Sequence, residues 1–289
     1  MPVLTPTSVD EVLAHLDERP EALLLSGGTD VMVEINMAHR KAPQDVVALR
    51  RVEELRIWQH NPSRPGADAS TVTIGSAVPY AEMEHGRLAE LFPALAEAAR
   101  TVGSPQIRAA GTLGGNLGTC SPAGDGLPVL SALDAVIHVR SASGGRNVPV
   151  GEFMVGVKKN VLEPGELITG VTLPVRRGWQ GYAKVGVRNA MVIATASACL
   201  ATDRDNGTVS LALGAVGPTI LRCTAAETWL AEQADLSAGP LDIGAGLIAE
   251  FGQRAATEAR PIDDHRSTAA YRSHAVGVLA SRLLRRACA

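Results

Sequence analysis

The sequence predicts an α+β fold, on three observations. Strand-like and helical runs alternate through the first part of this 289-residue chain. Three strand-like runs then follow one another, Tyr182–Val187, Val192–Leu200 and Val209–Val216, with Asp203-Arg204-Asp205-Asn206-Gly207 as a hairpin loop between the last two. Helical runs close the chain, so the strands and helices of the second part are segregated. The third observation is a pair of glycine-rich stretches, Ser26-Gly27-Gly28-Thr29-Asp30 and Gly111–Asp125, each beside an apolar run. No internal repeat or low-complexity segment interrupts this order.

The elements can be justified in turn. Ser8 with Glu11 three residues on makes a capping box, and Val12, Leu13 and Leu16 give a helix one apolar face until Pro20 stops it. Ala22–Leu25 reads as a short buried strand, and Val31–Met37 has helical character, so the first glycine stretch opens onto a helix. Val46–Leu49 and Leu55–Trp58 read as strands, Asn61–Ser70 as a polar loop, and Val72–Ile74 as a strand. Pro79 fits the first turn of a short helix. Leu88–Ala99 reads as one helix with Leu88, Leu91, Leu95 and Ala98 on one side. After the central glycine stretch come a buried helix over Leu127–Leu133 and a strand over Ala135–Arg140. Ser143-Gly144-Gly145-Arg146 is a turn before Val148–Val150, and a strand runs from Leu167 to Pro174. Arg176-Arg177-Gly178 marks a junction, and Thr224–Ala231, Ile243–Ala256 and Ala269–Arg286 read as helices.

Bulk composition narrows the function classes. A hydrophobic fraction of 46% and a charged fraction of 20% are those of a soluble chain with a real core. A net charge of −3 favours neither nucleic acid nor an anionic membrane. The N-terminus lacks a basic region and an apolar signal core, no window reaches the length of a membrane span, and a cytoplasmic location is expected. Cys120, Cys199, Cys223 and Cys288 are far apart, with no Cys-x-x-Cys pair, which argues against a zinc ribbon or an iron–sulfur cluster held by this chain alone. The histidines at 15, 39, 60, 85, 138, 265 and 274 are dispersed, so no metal site is expected. Ser121 and Ser197 lack a nucleophile-elbow context, and no catalytic residue is assigned.

The glycine stretches carry the chemistry. There is no Gly-x-Gly-x-x-Gly opening a helix and no Gly-x-x-x-x-Gly-Lys-Ser/Thr, so a Rossmann fold and a P-loop both lose support. Glycine tolerates positive φ and lets a ligand approach the backbone. A run of free N–H groups beside hydroxyls forms an anion-binding nest. Two such stretches suit the two phosphates of a dinucleotide, although composition alone also admits surface turns. Asp125 closes the central stretch; it reads either as a ligand for sugar or sugar-alcohol hydroxyls or as the N-cap of the next helix. Lys184 reads either as a solvated strand face or as a cation that stabilises an anionic reduced flavin.

The segment Ile107–Asp134 carries a resemblance. Thr-Leu-Gly-Gly-Asn at 112–116, Ser-Pro-Ala-Gly-Asp at 121–125 and Leu-Pro-Val-Leu-Ser-Ala-Leu-Asp at 127–134 resemble the flavoprotein (medium) subunit of the xanthine dehydrogenase and aerobic carbon monoxide dehydrogenase family. Ser-Gly-Gly-Thr-Asp at 26–30 is similar to that family's other FAD loop. Gly165-Glu166-Leu167-Ile168, Tyr182-Ala183-Lys184-Val185, Arg188-Asn189-Ala190-Met191 and Tyr271-Arg272 extend the likeness over nearly the whole chain. One departure stands out: many relatives carry Asp where this chain has Val192.

The resemblance implies a two-part FAD-binding region of the PCMH-like type over residues 1–176, divided near 58, and a C-terminal domain over 177–289 with a three-stranded antiparallel sheet and helices. It implies that Leu24, Leu25, Ser26, Gly27, Gly28, Thr29, Asp30 and Val31, with Thr112, Leu113, Gly114, Gly115 and Asn116, wrap the pyrophosphate and ribityl chain of FAD. Ser121, Gly124 and Asp125 would complete that side, Val102 would border the adenine, and Ile168 and Lys184 would lie by the flavin ring. It further implies an electron-transfer role in a molybdenum hydroxylase, with a large molybdopterin subunit and a small [2Fe–2S] subunit as partners. NAD, a quinone or oxygen would be the acceptor. A stand-alone FAD oxidase or dehydrogenase, and an assembly subunit without flavin, are the alternatives; only nine aromatic residues and no conspicuous base weigh against the first.

Overall fold

The computed structural model describes residues 3–63, 70–239 and 241–289. Most of the expected loop Asn61–Ser70 lies outside the described residues.

The chain first builds a small parallel sheet in which Val46–Ala48 lies between Val3–Leu4 and Leu23–Leu25. Helix Val9–Glu18 covers it, with Ser8 Oγ accepting the Glu11 amide at 3.2 Å. The Glu11 carboxylate accepts the Thr7 amide at 2.7 Å, one residue earlier than a capping box requires. Val9, Val12, Leu13 and Leu16 pack on Val47, Leu49, Val52 and Leu55.

A five-stranded antiparallel sheet follows, in the order Trp58–Asn61, Thr71–Gly75, Leu167–Pro174, Val136–Ser141, Gly144–Pro149. Phe92, Leu95, Leu113, Leu117, Leu127 and Phe153 fill the core between this sheet and its helices. The third sheet is Gln180–Val185, Ala196–Asp203, Thr208–Gly214 and Leu221–Arg222. It carries one strand more than expected, a two-residue edge that pairs Leu221 with Leu213. Cys199, Ala201 and Ala212 belong to the core of the first region, whereas Ala198, Leu200, Leu211 and Leu213 pack on helices Thr224–Gln233, Ala245–Glu258 and Ala269–Ala287. The alternation of side chains along a strand lets one sheet serve both cores.

The structure corrects several sequence expectations. Leu55 sits in a 3-10 turn over Glu53–Leu55, and the strand starts at Trp58. The expected helix over Leu88–Ala99 is two, Gly86–Leu91 and Pro93–Thr101, because Pro93 lacks the N–H needed to continue a helix and starts a new one. The turn expected at Ser143–Arg146 is shorter, since Gly144–Pro149 is already strand. Val192–Thr195 is loop, and that strand begins at Ala196.

The largest correction concerns the central glycine stretch, much of which is helical. Pro105–Ala110 and Leu113–Thr119 are short helices, the second capped by Thr112 Oγ1, which accepts the Gly115 amide at 3.0 Å. Glycine costs up to about 1 kcal/mol per residue in a helix. Packing explains Gly114, because a Cβ there would lie 2.6 Å from the Ser76 carbonyl oxygen.

Candidate functional site

A cleft of about 860 Å³ runs between the parallel sheet, the five-stranded sheet and the loop before Ala196. That volume is in the range of small-molecule and cofactor sites. Its floor is the pair of glycine segments, which touch directly. Ser26 Oγ and Thr112 Oγ1 are 3.0 Å apart, and Thr119 Oγ1 donates to Asp30 Oδ2 at 2.9 Å. A Cβ on Gly27 would lie 2.0 Å from the Ala110 carbonyl oxygen, so only glycine permits this approach. Gly28 has φ +69°, the left-handed conformation that favours glycine.

Backbone groups distinguish the two segments. Among the described residues, the amides of Gly27, Gly28, Thr29 and Asp30 donate to no protein acceptor. Those of Gly114 and Gly115 are taken by the Ser76 carbonyl and Thr112 Oγ1. Four consecutive open amides therefore mark the first segment, whereas the paired glycines at the start of the second helix have theirs occupied. Three side-chain atoms on the cleft wall, Ser76 Oγ, Tyr80 OH and Asn116 Oδ1, are buried without a hydrogen-bond partner.

Asp125 lines the cleft at its junction with the third sheet. It precedes helix Gly126–Ala132 but makes no side-chain capping bond. Oδ1 accepts from Tyr182 OH at 2.7 Å and Oδ2 from Lys184 Nζ at 2.7 Å. Burial pushes this carboxyl above its ordinary range, and the Lys184 charge with bonds from Lys184 and Tyr182 offsets only part of that rise.

The sequence-derived residues fall into two groups. Leu24–Val31, Val102, Thr112, Gly114, Gly115, Asn116, Ser121, Gly124, Asp125 and Ile168 all line the cleft. Leu113 does not: it is fully buried in the core behind it. Lys184 does not either. Its ammonium is turned inward to Asp125, to the Thr101 carbonyl at 2.8 Å and to the Val192 carbonyl at 3.1 Å. Lys184 is thus one hydrogen bond from the residue preceding Val102. The solvated-face reading does not describe this buried ammonium.

Other wall residues escaped the sequence reading. Ser76, Tyr80, Ile107 and Leu162–Leu167 line the cleft, as do Met191, Val192 and Ile193. No motif marks Ser76 or Tyr80, which reach the site just after the strand Thr71–Gly75 and from the short helix Tyr80–Met83. The loop carrying Val192 is held by Lys184 on the Val192 carbonyl, Arg188 on the Met191 carbonyl at 3.1 Å and Arg272 on the Thr195 carbonyl at 2.7 Å. Val192 is therefore an apolar part of the wall. Cys120 is absent from the lining: its Sγ donates to the Lys159 carbonyl at 3.3 Å, and burial pushes the thiol up to about 11.

Comparison with known proteins agrees with this geometry. Residues 1–176 match the family described as FAD binding domain in molybdopterin dehydrogenase, and residues 182–287 match the CO dehydrogenase flavoprotein C-terminal domain. The nicotinate dehydrogenase FAD-subunit of Eubacterium barkeri is 30% identical over 78% of this chain and 77% of its own. The carbon monoxide dehydrogenase medium chain of Hydrogenophaga pseudoflava is 28% identical over 98% of this chain and 96% of its own. A solved structure of carbon monoxide dehydrogenase from Hydrogenophaga pseudoflava superposes with a TM-score of 0.85 at 26% identity, covering 99% of this chain and 96% of that one. Quinoline 2-oxidoreductase from Pseudomonas putida 86 shares the fold, with a TM-score of 0.87 at 22% identity over 100% of this chain and 96% of that one. A cleft floored by two touching glycine segments, the match over both domains and the shared fold converge: the chain belongs to the FAD-binding (medium) subunits of the molybdenum-containing dehydrogenases related to xanthine and carbon monoxide dehydrogenase.

Proposed function

We propose that this chain is the flavin relay of a multi-subunit molybdenum hydroxylase, passing electrons from the [2Fe–2S] clusters of a small partner subunit through FAD to an external acceptor. A large molybdopterin subunit would hydroxylate the substrate, and NAD, a quinone or oxygen would take the electrons. The observation that carries the reading is the contact of the two glycine segments beneath the cleft, with four free amides on one side and unpartnered side-chain groups on the other. This donor and acceptor set fits FAD. It offers N–H groups for phosphate, hydroxyl and amide groups for sugar alcohols, and an apolar wall of Met191, Val192 and Ile193 for a ring.

FAD accepts and releases electrons one or two at a time when bound; the protein's own residues bind and orient it. The amides of Gly27–Asp30 would hold the pyrophosphate. Gly27 keeps the two segments close enough to share it. Asp125 would face the sugar-alcohol chain, held in place by Tyr182 and Lys184. Leu24 and Ile168 would exclude water along the other wall. Substrate identity belongs to the partner, and the related chains serve complexes named for nicotinate, xanthine and carbon monoxide.

The relay reading has a direct test. The isolated flavin-loaded chain should be bleached by dithionite and not by the hydroxylase's organic substrate. Adding the cluster-bearing and molybdopterin subunits should restore substrate-driven bleaching under anaerobic conditions. Rapid bleaching by the organic substrate with this chain alone would instead support the stand-alone flavoenzyme.

A further inference from the structure

Tyr80 and Asn116 form an unfinished hydrogen-bond pair in the cleft wall. A Cβ on Gly126 would lie 3.1 Å from both Tyr80 OH and Asn116 Oδ1, so the two atoms flank one point on the backbone. No bond joins them, and neither has any other partner among the described residues. Tyr80 is 3% exposed, held in helix Tyr80–Met83 by its amide bond to the Gly111 carbonyl at 3.0 Å. Burial and the charges of Asp125 and Asp30 push its phenol well above the ordinary range, so it remains a donor. A buried polar group without a partner is destabilising by about 1–3 kcal/mol, and a folded chain keeps two side by side only where something else completes them.

The chemistry of that missing group follows from the two atoms. Tyr80 OH can donate and accept, whereas Asn116 Oδ1 can only accept. A phosphate oxygen has no hydrogen to give Asn116. A hydrocarbon or ring carbon satisfies neither. An alcohol satisfies both at once, accepting from Tyr80 and donating to Asn116. Ser76 Oγ, 4% exposed and also unpartnered, lines the same cleft behind Gly114.

We propose that Tyr80 and Asn116 read a hydroxyl of the flavin's sugar-alcohol chain, Tyr80 donating to it and Asn116 accepting from it. This rests on the FAD reading above. It adds Tyr80 to the cofactor-binding residues and gives Asn116 a defined role, acceptor from an alcohol rather than phosphate ligand. It also makes the two states respond in opposite senses to one mutation. Without ligand, the Tyr80 hydroxyl is a liability; with ligand, it is a contact.

The test uses the full chain stripped of flavin. Wild type, Tyr80→Phe, Asn116→Leu and the double variant are titrated with FAD by quenching of flavin fluorescence, with ADP as a competing probe. Tyr80→Phe should weaken FAD by about 5–10-fold, the range of one neutral hydrogen bond, and leave ADP affinity unchanged. The double variant should lose less than the product of the two single losses, because both partners read one hydroxyl. The ligand-free Tyr80→Phe chain should melt at or above the wild-type temperature, and FAD should raise its melting point less than it raises that of wild type. If wild type fails to bind FAD, the parent reading falls. If wild type binds and Tyr80→Phe binds equally well, the hydroxyl-reading pair falls alone. An equal loss for ADP would move the contact to the phosphates or ribose, and a ligand-free Tyr80→Phe chain several degrees less stable would mean the hydroxyl already has a partner; either overturns the proposal.

Discussion

Lys184 Nζ lies 2.7 Å from Asp125 Oδ2, and both side chains are at most one-tenth exposed. The pair joins the strand Gln180–Val185 of the third sheet to the end of the central glycine stretch. Removing one member of such a pair strands the other in a dry place, and costs about 3–5 kcal/mol. We expect Lys184→Met to lower the melting temperature by roughly 6–20 °C, taking about 2–4 °C per kcal/mol for a chain of this order of size. The double variant Asp125→Asn/Lys184→Met should recover part of that loss. Four thermal melts measure it, and equal melting of the single and double variants would exclude the pairing as the cause.

The same geometry changes an electrochemical expectation. From sequence, Lys184→Met should lower the flavin potential by tens of millivolts. In the structure the Lys184 charge is neutralised by Asp125 and turned from the cleft. The variant that survives folding should therefore keep a potential within about 30 mV of wild type, the equivalent of 1.4 kcal/mol for two electrons. A fall well beyond that, in an anaerobic dye-coupled titration, would return Lys184 to the ring.

Gly27→Ala is expected to abolish flavin binding. Its Cβ would meet the Ala110 carbonyl oxygen at 2.0 Å and the Gly111 Cα at 2.9 Å, all backbone, so the two glycine segments must part. Gly118→Ala is the control, since nothing lies within 4 Å of a Cβ there. Flavin-to-protein ratios after purification compare the two; a fully loaded Gly27→Ala chain contradicts the close approach.

The flavin should be released in full by acid precipitation. Among the described residues no histidine lines the cleft, and Cys120 is turned to the Lys159 carbonyl with its thiol held protonated. Yellow colour left in the protein pellet would contradict a non-covalent site.

Stability should carry a low-pH step from Asp264. Burial raises this carboxyl, but the Arg266 amide, the Arg272 guanidinium and the Ser267 amide outweigh it and hold the group at about 2. The folded value is below the unfolded one, near 3.8. Its contribution is thus complete above about pH 4 and is lost as pH falls toward 2. The shift corresponds to at most about 2 kcal/mol, less for a side chain 23% exposed. Denaturant melts of wild type and Asp264→Asn should converge across this interval; curves that stay parallel would remove the linkage.

How much of this was readable beforehand depends on where the information lies. Ser8, Pro20 and the apolar face of Val12, Leu13 and Leu16 announce the first helix through local rules. Both glycine segments announce themselves by composition, and the cleft forms between them. The helix over Leu113–Thr119 was hidden, because Gly114, Gly115 and Gly118 argue locally against it. The residue that forces Gly114, Ser76, lies on a distant strand end. Val192–Thr195 looked like strand because its residues are β-branched or small. Two side chains outside the loop, Lys184 on the preceding strand and Arg272 on the last helix, instead take its Val192 and Thr195 carbonyls. Tyr80 carried no signal, since an unsatisfied hydroxyl is visible only after the chain has closed around it.

The middle place of Leu167–Pro174 in the five-stranded sheet sets a timetable for biosynthesis. Gly170 pairs with Gly75 on one side and His138 on the other, and Ile168 belongs to the cleft wall. A ribosome adds about 5–20 residues per second, so the strand Thr71–Gly75 waits roughly 5–20 s for its neighbour. Late in that interval both glycine segments have been made but Ile168 has not. The cleft is therefore complete only in the late nascent or released chain.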